Sequence, residues 1–528
     1  MRDFQLPGRS PAISANGMAA TSHDRATLTA LDVLRAGGNA VDAAIAASAV
    51  LCVVEPQSTG IGGDCWAIYA PASGGAHALN ASGWAPAAAT VERLRPETGA
   101  TIDQHSPHAV TVPGAFAGWQ ALLEAHGTRS LGELLQPAIA FAEEGFAVTP
   151  RVAFDWKRAE ATLRASKAGR DHALPGDAAP ETGRMHRFPV LARTLRTIAE
   201  KGAPAFYRGE LAANMVESLR AFGGLHTEED FADYTVEWVE PIKTGYRGLL
   251  VYQLPPNGQG ITALQMLNIL ETFELAKLEP HGARRLHLEA EATRLAYRDR
   301  DSFVADPRHA EVPVNRLLDK SYARELAGLI DPERAMGALP PPLLEPHPDT
   351  VYLTVVDRDL NAISFINSLY DSFGSGLVCP KTGVVFHSRG RAFRLDEAHP
   401  NVIAPRKRPL HTIIPGMAFK DGASHVTFGV MGGDYQPVGH ARLITSLVDY
   451  DMDPQAAIDG PRAMAYPGPL KLERGVSERA QLALARMGHA IATAEAPLGG
   501  GQAILIDRRR GVLIGGSDPR KDGMALGY

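Results

Sequence analysis

Asp349-Thr350-Val351-Tyr352-Leu353-Thr354-Val355-Val356-Asp357 sets a threonine where a proline-rich segment meets a buried apolar strand. Upstream, Pro340, Pro341, Pro342, Pro346 and Pro348 forbid regular structure, so Pro332 to Pro348 reads as extended and solvated. Downstream, Val351 to Asp357 and Ala362 to Ile366 are apolar and rich in β-branched residues, with Asp359-Leu360-Asn361 as a hairpin turn between them. One mechanism gives the threonine a chemical meaning. If the bond before Thr350 is cut, the new α-amino group, with an ordinary pKa near 8, serves as base for the adjacent hydroxyl. The bland reading of the same residue is a strand opener.

Working outward, Asp24 to Ala36 has the apolar spacing of an amphipathic helix and stops at Gly37 and Gly38. Asn39 and Asp42 cap a second helix whose run from Ala43 to Leu51 is small and apolar on nearly every side, which predicts burial. Gly60-Ile61-Gly62-Gly63-Asp64 then turns into a strand from Cys65 to Ala70. From Ser130 to Arg334 the period is mostly helical, interrupted by a β interval at Tyr246 to Leu254 and a turn at Asn257-Gly258-Gln259-Gly260. Beyond residue 350, β signals recur at Gly383 to Phe386, Ile413 to Phe419, His425 to Val430 and Ala503 to Ile514. Helices are expected from Val438 to Val448 and from Ser477 to Met487. The pattern is α/β, with helices outside sheets.

Composition narrows the function. With 528 residues, 45% hydrophobic and 21% charged, the chain is globular, in one or two domains. A net charge of -6 without any block of like charge argues against nucleic-acid and polybasic membrane partners. Three scattered cysteines support neither a disulfide framework nor a cysteine zinc site. Met1 to Ala20 lacks a signal-like apolar run, so a cytoplasmic location is expected; apolar stretches such as Ala43 to Val54 are too short to cross a membrane. His105 with His108, and His281 with His287, lack strict ligand spacing, and neither a catalytic metal nor a cofactor is expected. No Gly-x-Ser-x-Gly elbow, His-Glu-x-x-His, phosphate loop or dinucleotide loop occurs.

Several blocks taken in order resemble the γ-glutamyltransferase family: Leu34 to Ala44, Val54-Glu55-Pro56, Gly60-Ile61-Gly62-Gly63, Val112-Pro113-Gly114 and Tyr246-Arg247-Gly248. The order continues through Asp299-Arg300 to Asp306-Pro307, Lys407 to Leu410, Met431-Gly432-Gly433 and Ser517-Asp518-Pro519-Arg520. The resemblance implies an N-terminal nucleophile hydrolase fold, a four-layer αββα sandwich, made as a precursor that cuts itself between Asp349 and Thr350. Its products would be 1–349 and 350–528, held in one unit. It implies Thr350 as nucleophile through an acyl-enzyme, Gly432 and Gly433 as oxyanion site, and Ser368 as a supporting hydroxyl. A strand-surface serine and a glycine turn are the bland alternatives for these positions.

On the substrate side the chain departs from that family. The family's carboxylate-binding arginine aligns with Val91, its serine pair with His411 and Thr412, and its asparagine with Tyr370. Its glutamine and acidic residue fall in His387-Ser388-Arg389-Gly390-Arg391-Ala392-Phe393. Arg389 and Arg391 would repel an ammonium group and favour a carboxylate, so the expected acyl part is anionic and lacks a free α-amine. Asp434 either contacts substrate or serves the following helix. Phe393 to Pro405 is shorter than the family's lid-bearing segment. These blocks are most similar to the oxamate amidohydrolase branch, making oxamate the first candidate. A γ-glutamyl hydrolase or transpeptidase, a dicarboxyl-acyl (cephalosporin-type) acylase and a non-catalytic scaffold stay open. So does a homodimer.

Overall fold

The computed structural model describes residues 4–5, 8–337 and 351–528. Asp349, Thr350 and the prolines from Pro340 to Pro348 lie outside the described residues. The strands that build the centre are, in chain order, β1 (Ala12–Ser14), β2 (Met18–Thr21), β3 (Asp64–Ala70), β4 (His77–Ala81), β5 (Glu237–Val239), β6 (Ile242–Tyr246) and β7 (Leu249–Gln253). After residue 350 come β8 (Val351–Val356), β9 (Ala362–Ser368), β10 (Gly416–Lys420), β11 (Ala423–Met431), β12 (Gly500–Asp507), β13 (Val512–Ser517) and β14 (Met524–Gly527). They form two seven-stranded sheets, ordered β1-β13-β12-β11-β10-β7-β6 and β14-β2-β8-β9-β3-β4-β5. Every neighbouring pair in both is antiparallel. Each sheet is therefore built from strands on both sides of residue 350, with β10 to β13 set between β1 and β7 in one and β8-β9 set between β2 and β3 in the other.

The β8 sequence explains its place. Side chains alternate across a strand. Tyr352 and Val356 enter the core between the sheets with Trp66, Ile366, Met417 and Ile504. Val351, Leu353 and Val355 instead pack into the helical layer outside. A strand buried on both faces needs the continuous apolar run the sequence shows. The hairpin closes at Leu360, whose φ is +65°, with Val351 opposite Asn367 and Val356 opposite Ala362. Asp357 caps this turn by accepting the Asp359 and Asn361 N–H groups (3.0 Å each) and reaches the Ala40 N–H at 3.1 Å.

Helices cover both sheets. On the β8 side lie α1 (Asp24–Arg35), α2 (Ala40–Val54) and α3 (Ala115–His126), with all of α2 buried and its Asn39–Asp42 capping box formed. On the other side α4 (Gly260–Leu270) and α6 (Gln436–Asp449) rest on the sheet and α5 (Ala283–Phe303) packs over them. The result is the αββα sandwich expected from the sequence. Gly383 to Phe386 differs from its expected strand: Cys379 to Val384 and Leu377 to Phe386 bond across a turn, with only an isolated bridge between Val378 and Val385. Two such pairs around a glycine at φ +69° make a hairpin too short for a ladder. The three cysteines are buried and unbridged. Among the described residues no helix is long and apolar enough to cross a membrane.

Burial of neutral imidazoles makes a pH prediction. Burial lowers His226 to about 4 and His440 to about 3, against an ordinary 6.5. The unfolded chain binds these protons first, so stability present above pH 6.5 is lost as pH falls toward 4 and 3. Each such imidazole accounts for on the order of 3 kcal/mol. Urea denaturation at stepped pH is expected to show a steep fall from pH 6.5 to 4; a flat profile there would contradict the assignment.

Candidate active site

Ser368 ends β9 and lies directly opposite Asp64, the first residue of β3. The approach is close enough that a Cβ on Gly63 would stand 2.3 Å from the Ser368 carbonyl oxygen, so glycine is required there. The Ser368 hydroxyl accepts the Tyr370 N–H at 3.0 Å and lies 3.4 Å from an Arg389 Nη. Tyr370 holds φ +80°, a conformation that bulky residues rarely adopt and that functional sites retain. That backbone puts its ring 4.1 Å below the Arg389 guanidinium, a cation–π arrangement.

Arg389 is fully buried, at the start of a short helical turn, Arg389–Ala392. Its Nη1 donates to the Thr412 hydroxyl at 2.8 Å and its Nε stands 3.7 Å from Asp64. Asp64 is the counter-charge. It accepts from His411 Nε2 (2.8 Å) and the Gly83 N–H (2.9 Å), with His387 Nδ1 at 3.5 Å. Burial would raise the Asp64 carboxyl, but His387 and His411 outweigh it and hold the group below the usual range. Burial, reinforced by the Arg389 charge, lowers His411 to about 3, so at neutral pH it is a neutral donor. It also stacks on Trp66, ring centroids 4.9 Å apart.

The glycine pair follows β11. Gly432 has φ +121° and a Cβ on it would stand 2.8 Å from Gly499 Cα; Gly433 has φ +54°. Among the described residues neither of their N–H groups meets an acceptor. A network behind them fixes the turn. Gln259 Nε2 donates to the Gly433 carbonyl (3.0 Å) and the Thr412 carbonyl (2.8 Å), while its Oε1 accepts from Arg300 (2.7 Å). Arg300 is buried on α5, pairs with Asp434 Oδ1 at 2.5 Å, and Tyr297 donates to the Asp434 carbonyl. A cavity of about 220 Å³ beside Gly432 is lined by Asp371, Ser372, Arg158 and Lys521, among others.

The structure thus gathers Ser368, Tyr370, Arg389 and Thr412 in one cluster, with Gly432 and Gly433 on the loop that Gln259 ties to Thr412. The other expected substrate contacts each have a partner within the protein. Asp434 faces Arg300, His411 faces Asp64, and Arg391 pairs with Asp371 at 3.2 Å. Val91 lies in an apolar cluster with Phe393 and Ile403. Sequence reasoning missed Asp64, Gln259 and Arg300 as parts of this site. An acid opening an apolar strand is a readable signal, because a buried carboxylate must find partners. If Gly432 and Gly433 form the oxyanion site that the family resemblance implies, Gln259→Ala is expected to lower kcat roughly tenfold or more, with KM little changed, since loosening a backbone N–H site acts on the transition state. Steady-state kinetics check this; an effect confined to KM would contradict it.

Comparison with known proteins shows the family. The profile of the gamma-glutamyltranspeptidase family matches residues 26–528. The chain is 36% identical over 526 residues to the glutathione hydrolase-like YwrD proenzyme of Bacillus subtilis, covering 98% of this chain and 99% of that one. It is 34% identical over 534 residues to the oxamate amidohydrolase proenzyme of Klebsiella pneumoniae, with 98% and 99% covered. The crystal structure of cephalosporin acylase from Bacillus halodurans superposes with a TM-score of 0.93 at 40% identity, covering 100% of this chain and 99% of that one. A family match across nearly the whole length, joined to an αββα sandwich, establishes that the chain belongs to the gamma-glutamyltranspeptidase family of N-terminal nucleophile hydrolases.

Proposed function

We propose that this amidohydrolase cuts itself before Thr350 and then hydrolyses a small amide whose acyl part carries a carboxylate, with oxamate the first candidate. The proenzyme names of its relatives support self-processing into 1–349 and 350–528. In the reaction the Thr350 α-amine takes the proton of the Thr350 hydroxyl as its oxygen attacks the amide carbon. The Gly432 and Gly433 N–H groups receive the oxyanion. The proton passes to the departing amine, and water repeats the sequence on the acyl-enzyme to free the acid.

The observation that carries the substrate reading is the buried Arg389. Its Nη groups face Thr412 and Ser368, the serine that lies opposite Asp64 at the end of the central strand β9 and follows Asn367, the partner of Val351. A guanidinium fixed there binds a carboxylate and repels an ammonium. One further reading has its own support. The likeness to cephalosporin acylase, with a cavity lined by Arg158 and Lys521 beside Gly432, favours a dicarboxyl-acyl amide with a larger leaving group. Purified enzyme is assayed for ammonia release from oxamate and for amine release from a glutaryl amide and a γ-glutamyl anilide. Preferred turnover of oxamate supports the first reading, and of the glutaryl amide the second. Efficient γ-glutamyl cleavage alone refutes both.

A further inference from the structure

Toward the N-terminal end of α5, whose C-terminal half carries Tyr297 and Arg300, stand His287 and Glu291, one helical turn apart and both wholly buried. The turn after α7 (Glu478–Arg486) brings His489 against them. His287 Nδ1, His489 Nε2 and a Glu291 carboxylate oxygen all lie within 4.8 Å of one another. The tautomers follow from the partners. His287 Nε2 faces the Asp331 carbonyl at 2.8 Å, an acceptor only, so Nε2 holds the proton and Nδ1 presents a lone pair. His489 Nε2 stands 2.7 Å from that lone pair, so it donates the single shared proton.

Two imidazoles and a carboxylate are the protein donors of an open tetrahedral zinc-type centre. A backbone carbonyl on the outer N–H of His287 is the support that ligating histidines use. Glu291 is likewise held from outside, by the Met336 N–H at 2.8 Å and by Arg294 at 3.2 Å. Arg294 also donates to the Met336 and Gly337 carbonyls, so its charge is shared outward.

We propose that His287, Glu291 and His489 form a binding site for a divalent transition metal of the zinc type, completed by water. On binding, the His489 proton moves from Nε2 to Nδ1 and the metal takes its place, so no proton is released. The two nitrogens part to about 3.3 Å, the span two bonds of 2.0–2.1 Å require at a tetrahedral centre. The ligands come from both sides of Thr350. Through Asp331 and Met336 they also grip the run that leads toward the processing site. The metal would brace these segments together, and this inference does not depend on the acyl substrate.

The test uses the full chain, stripped with a chelator and titrated with Zn²⁺ alone by calorimetry, with metal content measured after gel filtration. Wild type is expected to hold one equivalent, with affinity lowered at least tenfold in His489→Ala and in Glu291→Gln. Co²⁺ in place of Zn²⁺ is expected to give the intense visible bands of a tetrahedral centre in wild type. That reading stands even if a variant fails to fold. Wild type without retained Zn²⁺, variants that bind as tightly as wild type, or Co²⁺ bands of a six-coordinate ion would each overturn the proposal.

Discussion

Thr350→Ala is expected to run as one uncut chain on a denaturing gel, and the wild type as fragments 1–349 and 350–528. In the proposed mechanism the variant would lack the hydroxyl that attacks the preceding bond and, uncut, would never acquire the free α-amine that acts as base. Both losses fall on the same step, so residual amide hydrolysis should drop by about 10⁴-fold or more. Thr350→Ser keeps a hydroxyl and should process, more slowly. Intact-mass measurement fixes the cut to the bond. A wild type that stays uncut yet hydrolyses amides would remove Thr350 from the mechanism, and one that stays uncut and inactive would favour the scaffold reading.

Arg389→Gln carries the second large effect. Removing a buried, hydrogen-bonded cation costs its anionic partner roughly 2–4 kcal/mol, or about 30- to 1,000-fold in kcat/KM for a carboxylate-bearing acyl group. The change has an opposite face. Asp64 keeps its His411 and Gly83 partners but loses the cation beside it, and its negative field then favours the ammonium of a γ-glutamyl group. The ratio of oxamate to γ-glutamyl anilide turnover should therefore reverse or nearly vanish. An unchanged ratio with both activities reduced would mean that Arg389 only supports the fold.

Much of the architecture was legible because each element carries its own period. The helix expected at Val438 to Val448 runs from Gln436 to Asp449, and that at Ser477 to Met487 runs from Glu478 to Arg486. The hairpin around Asp359-Leu360-Asn361 formed as read. Side-chain partnerships were less legible, since they join residues far apart in sequence. Asp64 meets His411 across 347 positions, and nothing near Asp64 announces a histidine. Gln259 read as part of a glycine turn, yet its side chain reaches the Gly433 carbonyl. Arg300 sits in an Asp-Arg-Asp run that resembles a solvated charged face, and only packing of α5 shows it buried. Local pattern sets which face is inside; three-dimensional packing decides which polar groups meet there.

The insertion of strands from after residue 350 between strands from before it bears on how such a chain would age. Residues 351–356 and 362–368 lie between 18–21 and 64–70, and 416–517 supply four strands bracketed by 12–14 and 242–253. A chain cut before Thr350 would have two pieces but no interface in the ordinary sense, since the seam is the hydrogen-bond ladder itself. Separating the pieces and unfolding either would be one event. Dilution should therefore not dissociate them, and pieces made separately should be unable to exchange into a finished molecule. The cut could be made only after the whole sequence has found its place, so it would serve as a chemical record that folding was completed.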